Sequence, residues 1–516
     1  MKHFLTFLAA VLFTLTALAQ GNLTVASGAT LTLSEDASLT ASVNLTNSGT
    51  ITLNSTADNF SSIIVSGSSS GDIVYNRYVN TVGTGEWDLI GSPVDGLSIN
   101  DFVTTNSSVL ATNGSAFAVG YHDNSDDSWT NYTTSSVGGA GNFDTARGYQ
   151  MATSSGATMA FTGSIATTDQ TQSIVNNNGN GNGGRRWNLV ANPFPSYLNA
   201  NTNAHASNNF LSVNASVIDS SFLSIYGWAA DGSGYTIYNN TSSATYIAPG
   251  QGFFIAADSN ANTVLNFTAA MRTTTGTGDF VLGPQPLIYR LELILKDETQ
   301  KVKTNFYFKN GLSLDLDPGY DAGAYNQSTK LSTRLPQGSN QTAFAINAMD
   351  INSLENTRVP LEIRQNAGQA FRVSIAEADL PEDIYVYLED TLNGTVTSLK
   401  ENDFELTAES DLSGAERFFI VFKDNSVLSS GDTLAIDALN VFKANNNNFV
   451  TIAGITPELG KLDVTLYNIL GMRVREKALN PATTTQRVST QGLASGLYVV
   501  QVRSANQLFN KKIIVE

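Results

Sequence analysis

The chain has 516 residues, a formal net charge of −17, 14% charged residues and no cysteine. Its basic residues are scattered, which argues against a nucleic-acid partner, and the missing thiols exclude disulfides, thiolate metal sites and cysteine nucleophiles. At roughly one domain per 100 to 200 residues it should hold several, and 42 glycines among Thr, Ser, Asn and β-branched residues predict an all-β, multidomain chain.

Residues 1–19 read as a signal peptide. Lys2 supplies the positive start, Phe4 to Leu18 is a nearly unbroken apolar run, and Ala17-Leu18-Ala19 before Gln20 fits a small-x-small cleavage site. The run falls short of the roughly twenty residues a spanning helix needs, so no transmembrane span is expected in the mature form. From 20 to 75, short alternations such as Leu23-Thr24-Val25, Thr30 to Leu33, Thr50 to Leu53 and Ile63 to Val65 recur between Gly, Ser, Asn and Asp turns. This predicts a β-roll or solenoid-like segment, whose rungs bury their apolar faces only by stacking, with its threonines in solvent.

An internal repeat follows. Trp87-Asp88-Leu89-Ile90-Gly91-Ser92-Pro93-Val94 returns as Trp187-Asn188-Leu189-Val190-Ala191-Asn192-Pro193-Phe194, 100 positions on (187 − 87 = 100). Tyr121 to Tyr132 answers Tyr226 to Tyr238, Gly148 to Met151 answers Gly252 to Ile255, and Phe161 answers Phe267. The collinear order predicts two tandem β modules, 76–175 and 176–283, with the Asn/Gly stretch 176–184 as the loop between their strands. Trp87 and Trp187 are read as core anchors, because fold-defining positions must recur in both copies. Trp129 and Trp228 stand beside polar turns, the latter next to Asp231-Gly232-Ser233-Gly234, and are the ligand-binding candidates, since an indole face can stack on a sugar ring.

After Gly283-Pro284-Gln285-Pro286, read as a linker, residues 284–428 carry alternating runs from Tyr289 to Leu295 through to Arg417 to Val421, which predict an antiparallel β-sandwich. Two acidic clusters, Asp123 with Asp126 and Asp127, and Asp315 with Asp317 and Asp321, offer the oxygen ligands calcium prefers, though neither has EF-hand spacing. The residues call for no cofactor; calcium is the one ligand these clusters could take, against the plainer reading of ordinary acidic turns.

Three stretches close the chain. Leu462-Asp463-Val464-Thr465-Leu466-Tyr467 alternates before a reversal at Gly471, Gly496 opens the run Leu497-Tyr498-Val499-Val500-Gln501-Val502, and Lys511-Lys512 precede Ile513-Ile514-Val515. In this order they resemble the type A C-terminal sorting domain of the Bacteroidetes type IX secretion system, placed here at 436–516. The resemblance implies an Ig-like β-sandwich whose sorting signal includes Gly471, Gly496, Tyr498, Lys511 and Lys512. It also implies a route: into the periplasm by the general pathway, then through the type IX secretion machinery across the outer membrane. There the module is removed and the cargo is attached to surface lipopolysaccharide or released, so the expected location is secreted or cell surface.

Equipment for chemistry is sparse. Of three histidines, His3 falls in the leader, and His122 and His205 lie in polar turns. No zinc motif, GxSxG, P-loop or strand-linked GxGxxG occurs. The sequence therefore reads as a non-catalytic, adhesin-like or structural protein with a glycan or matrix ligand. The alternative is a polysaccharide-binding accessory protein or an enzyme acting on glycans.

Overall fold

The computed structural model describes residues 16–515 apart from 84–86, 178–182, 229–233, 259–262, 277–288, 382–383, 425–439, 444–447, 454, 456–460, 470, 481–482, 484 and 504–507. Most of the signal segment, the greater part of the Asp231 turn and the Gly283-Pro284-Gln285-Pro286 linker lie outside the described residues. Residues 1–425 and 426–516 form two compact units.

The alternations after Gly21 wind into a parallel solenoid with three faces. Leu23–Val25, Leu45–Asn47 and Ser69–Ser70 stack on one face, Thr30–Leu33, Thr50–Asn54 and Ile73–Val79 on the second, and Ser38–Ala41 and Ser62–Val65 on the third. Paired residues are 20 to 24 positions apart, from Thr30 with Thr50 (50 − 30 = 20) to Ser38 with Ser62 (62 − 38 = 24), and that spacing is the length of a rung. Leu33, Leu45, Ile51, Leu53, Ile63 and Val65 point inward, while Thr24, Thr32, Thr46 and Thr50 face water, as alternation in a strand requires. Thr16–Ala19, beside the expected cleavage point, pairs in parallel with Ser38–Ala41.

The solenoid and the first module share a strand. Ile73–Val79 closes the second face and on its other edge takes up Ala157–Gly163 in antiparallel register, Tyr75 opposite Phe161. One buried cluster accordingly runs from Val25 to Ile165, and a boundary at 75 would cut through that strand.

Both modules trace the same path. The strand order is Asp88–Ile90, Tyr149–Met151, Ala116–Asp123, Ser128–Thr133 in the first, and Trp187–Ala191, Gly252–Ala256, Ile225–Trp228, Tyr235–Tyr238 in the second. A short helix, Ile99–Thr105 or Phe210–Asn214, sets Phe102 against Phe161 and Phe210 against Phe267, at ring distances of 4.7 and 5.2 Å. At the end of each helix a buried asparagine does the same work twice. Asn106 Nδ2 donates to the Phe102 and Ala160 carbonyls and its Oδ1 accepts from Ala160 N; Asn214 does likewise with Phe210 and Asn266. The sheet registers refine the repeat by one position: Gln150 lies opposite Gly120 as Phe254 lies opposite Tyr226, so Gly120, not Tyr121, corresponds to Tyr226.

The modules pack against each other about a local two-fold axis. Gly91 N donates to Gly250 O (2.8 Å) and Ala191 N to Ala146 O (2.9 Å), and bridges pair Ile90 with Gln251 and Val190 with Arg147. Gly91 corresponds to Ala191 and Ala146 to Gly250, so each copy gives the other what it receives, the signature of an isologous contact. Gly148 and Gly252 occupy the closest approach. A Cβ on Gly148 would lie 2.6 Å from Leu189 Cγ, and one on Gly252 2.7 Å from the Leu89 carbonyl carbon.

In place of two separate antiparallel sheets, the next region forms one continuous sheet curled on itself. Its path runs Thr395–Ser398, Ile384–Asp390, Phe418–Asp424, Arg358–Ile363, Leu331–Thr333, Phe344–Met349, Lys301–Phe308, Tyr289–Lys296, Ala370–Asp379, Phe404–Thr407, and Lys301–Phe308 pairs with Phe344–Met349 in parallel. Strands distant along this path meet in the core, where Phe404 packs on Phe418 at 5.8 Å and Phe308 on Phe422 at 5.2 Å. Tyr325 fastens this region to the second module, stacked on Tyr235 at 3.9 Å and on Trp187 at 4.4 Å, while Tyr226 Oη donates to Gly323 O (2.7 Å).

The C-terminal unit is a two-sheet sandwich. Asn440–Phe442, Phe449–Ala453 and Thr485–Ser489 form one sheet; Arg473–Leu479, Leu462–Asn468, Gly496–Arg503 and Leu508–Val515 form the other. Val450, Ile452, Leu462, Val464, Leu466, Val500 and Val502 fill the space between them.

Candidate functional site

The two candidate tryptophans hold different positions. His122 faces Trp129 across the first hairpin, and Trp228 faces Tyr235 across the second, at ring distances of 5.1 and 4.9 Å. Trp129 thus corresponds to Tyr235 and Trp228 to His122. Trp129 is 41% exposed, with its ring edge-on to Phe254 of the second module. Trp228 is half-buried and lines a cleft of about 290 Å³ whose other walls include Asp58, Arg77, Tyr78, Asp88 and Gln251. The structure does not bring the two tryptophans into one site.

The cleft sits where three elements meet: the solenoid, the first strand of the first module, and the hairpin of the second. Asp88 is held by Asn80, whose backbone N and Nδ2 each donate to its carboxylate at 2.8 Å. Arg77 is 2% exposed and lays its guanidinium 4.1 Å over the Phe60 ring. Aromatic planes and polar groups of both signs therefore line one concave surface. Asp88 and Arg77 carried no local sequence signal, since only the fold carries them to Trp228.

Both acidic clusters make the hydrogen bonds of turns. Asp127 Oδ1 meets His122 Nε2 at 3.1 Å, and burial pushes that imidazole below its usual pKa against the pull of the carboxylate. Asp123 accepts from Ser125 N (2.9 Å), and hydrogen bonding to Ser125 holds its carboxyl low. Asp126 is exposed beside them. In the second cluster Asp315 accepts from Leu316 N and Asp317 from Ser313 N, whereas fully buried Asp321 accepts from Ala348 N and Asp317 N, and burial pushes it up to about 7. Asp side chains in turns bind nearby backbone amides. Among the described residues no group of three or more His, Asp or Glu is placed to hold a metal ion. His205 has a turn role as well: its Nδ1 accepts from Asn208 N at 3.0 Å.

In the C-terminal unit, Gly471 takes φ +75° in the turn before Arg473–Leu479, a conformation open to glycine. Tyr498 is buried, and its Oη donates to Ala494 O four residues upstream at 2.8 Å, the tyrosine-corner arrangement of Ig-like sandwiches. Gly496 opens its strand opposite Val515, and Lys511 and Lys512 stand exposed on the final strand while Ile513 and Val515 enter the core. Tyr498 and Gly471 thus shape the module, and the lysines are free to meet a partner.

A family model described as a domain of unknown function (DUF8693) matches residues 8–422. The chain belongs to this family. That one model runs through the solenoid, both modules and the curled sheet agrees with the strands and contacts they share. A second model, described as a secretion system C-terminal sorting domain, matches residues 445–516. The DUF8693 region is therefore cargo of type IX secretion, and its tail engages that machinery for export to the cell surface or beyond. No curated protein matches. One solved structure, "Biofilm associated protein - BSP domain", shares 9% identity over 85% of this chain and 90% of its own, with a TM-score of 0.14, too low to bear on the fold. No helix among the described residues is long and apolar enough to cross a membrane.

Proposed function

We propose that the exported region is a non-catalytic, adhesin-like protein that holds a binding cleft outside the cell. The observation that supports this reading is the mechanical continuity of residues 16–424: a strand common to solenoid and first module, a two-fold contact between modules, and Tyr325 wedged between Trp187 and Tyr235. Such a body holds the residues of a cleft in fixed register with one another. A type A tail, removal of that tail and linkage to lipopolysaccharide outside the outer membrane belong to the same reading.

Two strains test it. A chain lacking 436–516 should accumulate in the periplasm, and a strain lacking the whole gene should attach more weakly to surfaces coated with polysaccharide or matrix protein. Unchanged attachment by the deletion strain, or release of reducing sugar from a polysaccharide by the purified protein, contradicts the non-catalytic adhesin reading.

A further inference from the structure

The local two-fold gives the Trp228 cleft a counterpart. Because Val79 lies opposite Ala157 as Ile174 lies opposite Thr263, Tyr78 corresponds to Ser173 and Asn80 to Val175. Asp88 corresponds to Asn188, Gln251 to Arg147 and Trp228 to His122. The second set lines a cleft of its own, of about 220 Å³. Even the internal bonds match: Asn80 N donates to Asp88 on one side, and Val175 N donates to Asn188 Oδ1 (3.1 Å) on the other.

The counterpart is bridged by the protein's own amides. Asn124 Nδ2 donates to Asn188 Oδ1 (3.1 Å) and Val175 O (2.8 Å), and Asn177 Nδ2 donates to Asn124 Oδ1 (2.9 Å). Around the Trp228 cleft, the counterpart's histidine is replaced by Trp228, its serine by Tyr78 and its arginine by Gln251.

From this divergence we infer that the cleft formed by Trp228, Tyr78, Asp88 and Gln251 binds sugar residues of a glycan, a proposal that rests on the surface-binding reading above. A pyranose ring has apolar C–H faces that stack on an indole or phenol, and a rim of hydroxyls that both donate and accept. The cleft offers those partners together: aromatic planes, a carboxylate, carboxamides and a guanidinium. At about 290 Å³ the space lies just below the range of ligand pockets, which span about 300 to 1,000 Å³, and suits about one or two rings of a chain that continues into solvent.

The test uses the complete secreted chain and soluble oligomers of glucose, galactose, mannose, xylose and N-acetylglucosamine, read by tryptophan fluorescence and titration calorimetry. At least one oligomer should bind. Trp228→His, which installs the counterpart's residue, should weaken binding by about tenfold with the unfolding midpoint unchanged, and Trp129→Ala should leave binding intact. Should Trp228→His fail to fold, Tyr78→Ser makes the same substitution of counterpart for native on a partly exposed residue and should also weaken binding. Absence of binding by every oligomer, or binding that survives both variants, overturns the proposal. Loss of cell attachment in the deletion strain without any sugar binding overturns the glycan cleft and leaves the surface-binding reading standing.

Discussion

The two repeated modules share a backbone and differ in what they show to solvent. Positions that satisfy the chain's own hydrogen bonds or allow its closest approach have stayed the same: Phe102 and Phe210, Asn106 and Asn214, Gly148 and Gly252. The hairpin pair has not, with His122 and Trp129 in one copy and Trp228 and Tyr235 in the other. Duplication here conserves the frame and releases the rim, so chemistry is to be sought where the copies disagree.

That contrast is breakable at several points. The largest effect is expected at the tryptophans. Trp187 is fully buried among Phe222, Tyr226 and Tyr325, so Trp187→Ala should cost about 3 to 5 kcal/mol. Trp87 is half-buried, and Trp87→Ala should cost clearly less; equal losses in denaturant melts would mean that the curled sheet does not lock the second copy. Next come Asn106→Leu and Asn214→Leu. Each strands both backbone groups of one strand residue and should cost about 2 to 3 kcal/mol, alike within error, if the asparagines are equivalent struts. Gly148→Ala and Gly252→Ala push on the two-fold contact and should each cost about 1 to 3 kcal/mol through overpacking.

The smallest effect distinguishes the hairpins by pH. Burial lowers the His122 pKa below 6.5, so the unfolded chain binds a proton that the folded chain resists. The stability this group contributes is present above pH 6.5 and is lost as pH falls through the lowered value. His122→Gln should flatten the melting-temperature profile in that window. A profile unchanged by His122→Gln would show that another group titrates there.

Much of this organisation was legible in the residues, and the remainder depended on contacts distant in sequence. Rungs of the solenoid announce themselves because alternation and turn residues are local, and the repeat is legible in the matched Trp-x-Leu runs. A second repeat signal, Phe102 with Asn106 and Phe210 with Asn214, was also present but lies in helices too short to show periodicity. The sharing of Ile73–Val79 was not legible, because a strand's sequence does not declare which edges it pairs. For the same reason the alternating runs after Tyr289 predict strands without revealing that they join one curled sheet with a parallel pair. The aspartate clusters were open to two readings because turn-forming Asp and cation-binding Asp look alike in a sequence. Trp228 is a candidate by its polar turn alone, and Asp88 and Arg77 reach it only through the two-fold packing. In the tail, Tyr498 belonged to the recognised pattern, and the structure adds its bond to Ala494 O.

Crystals of the secreted protein soaked in the same oligosaccharides test the central claim most directly, because both clefts are then compared in one molecule. Density for a sugar ring against Trp228, with none in the counterpart beside His122, is the predicted result. Equal density in both clefts, density only at Trp129, or none at all would contradict it.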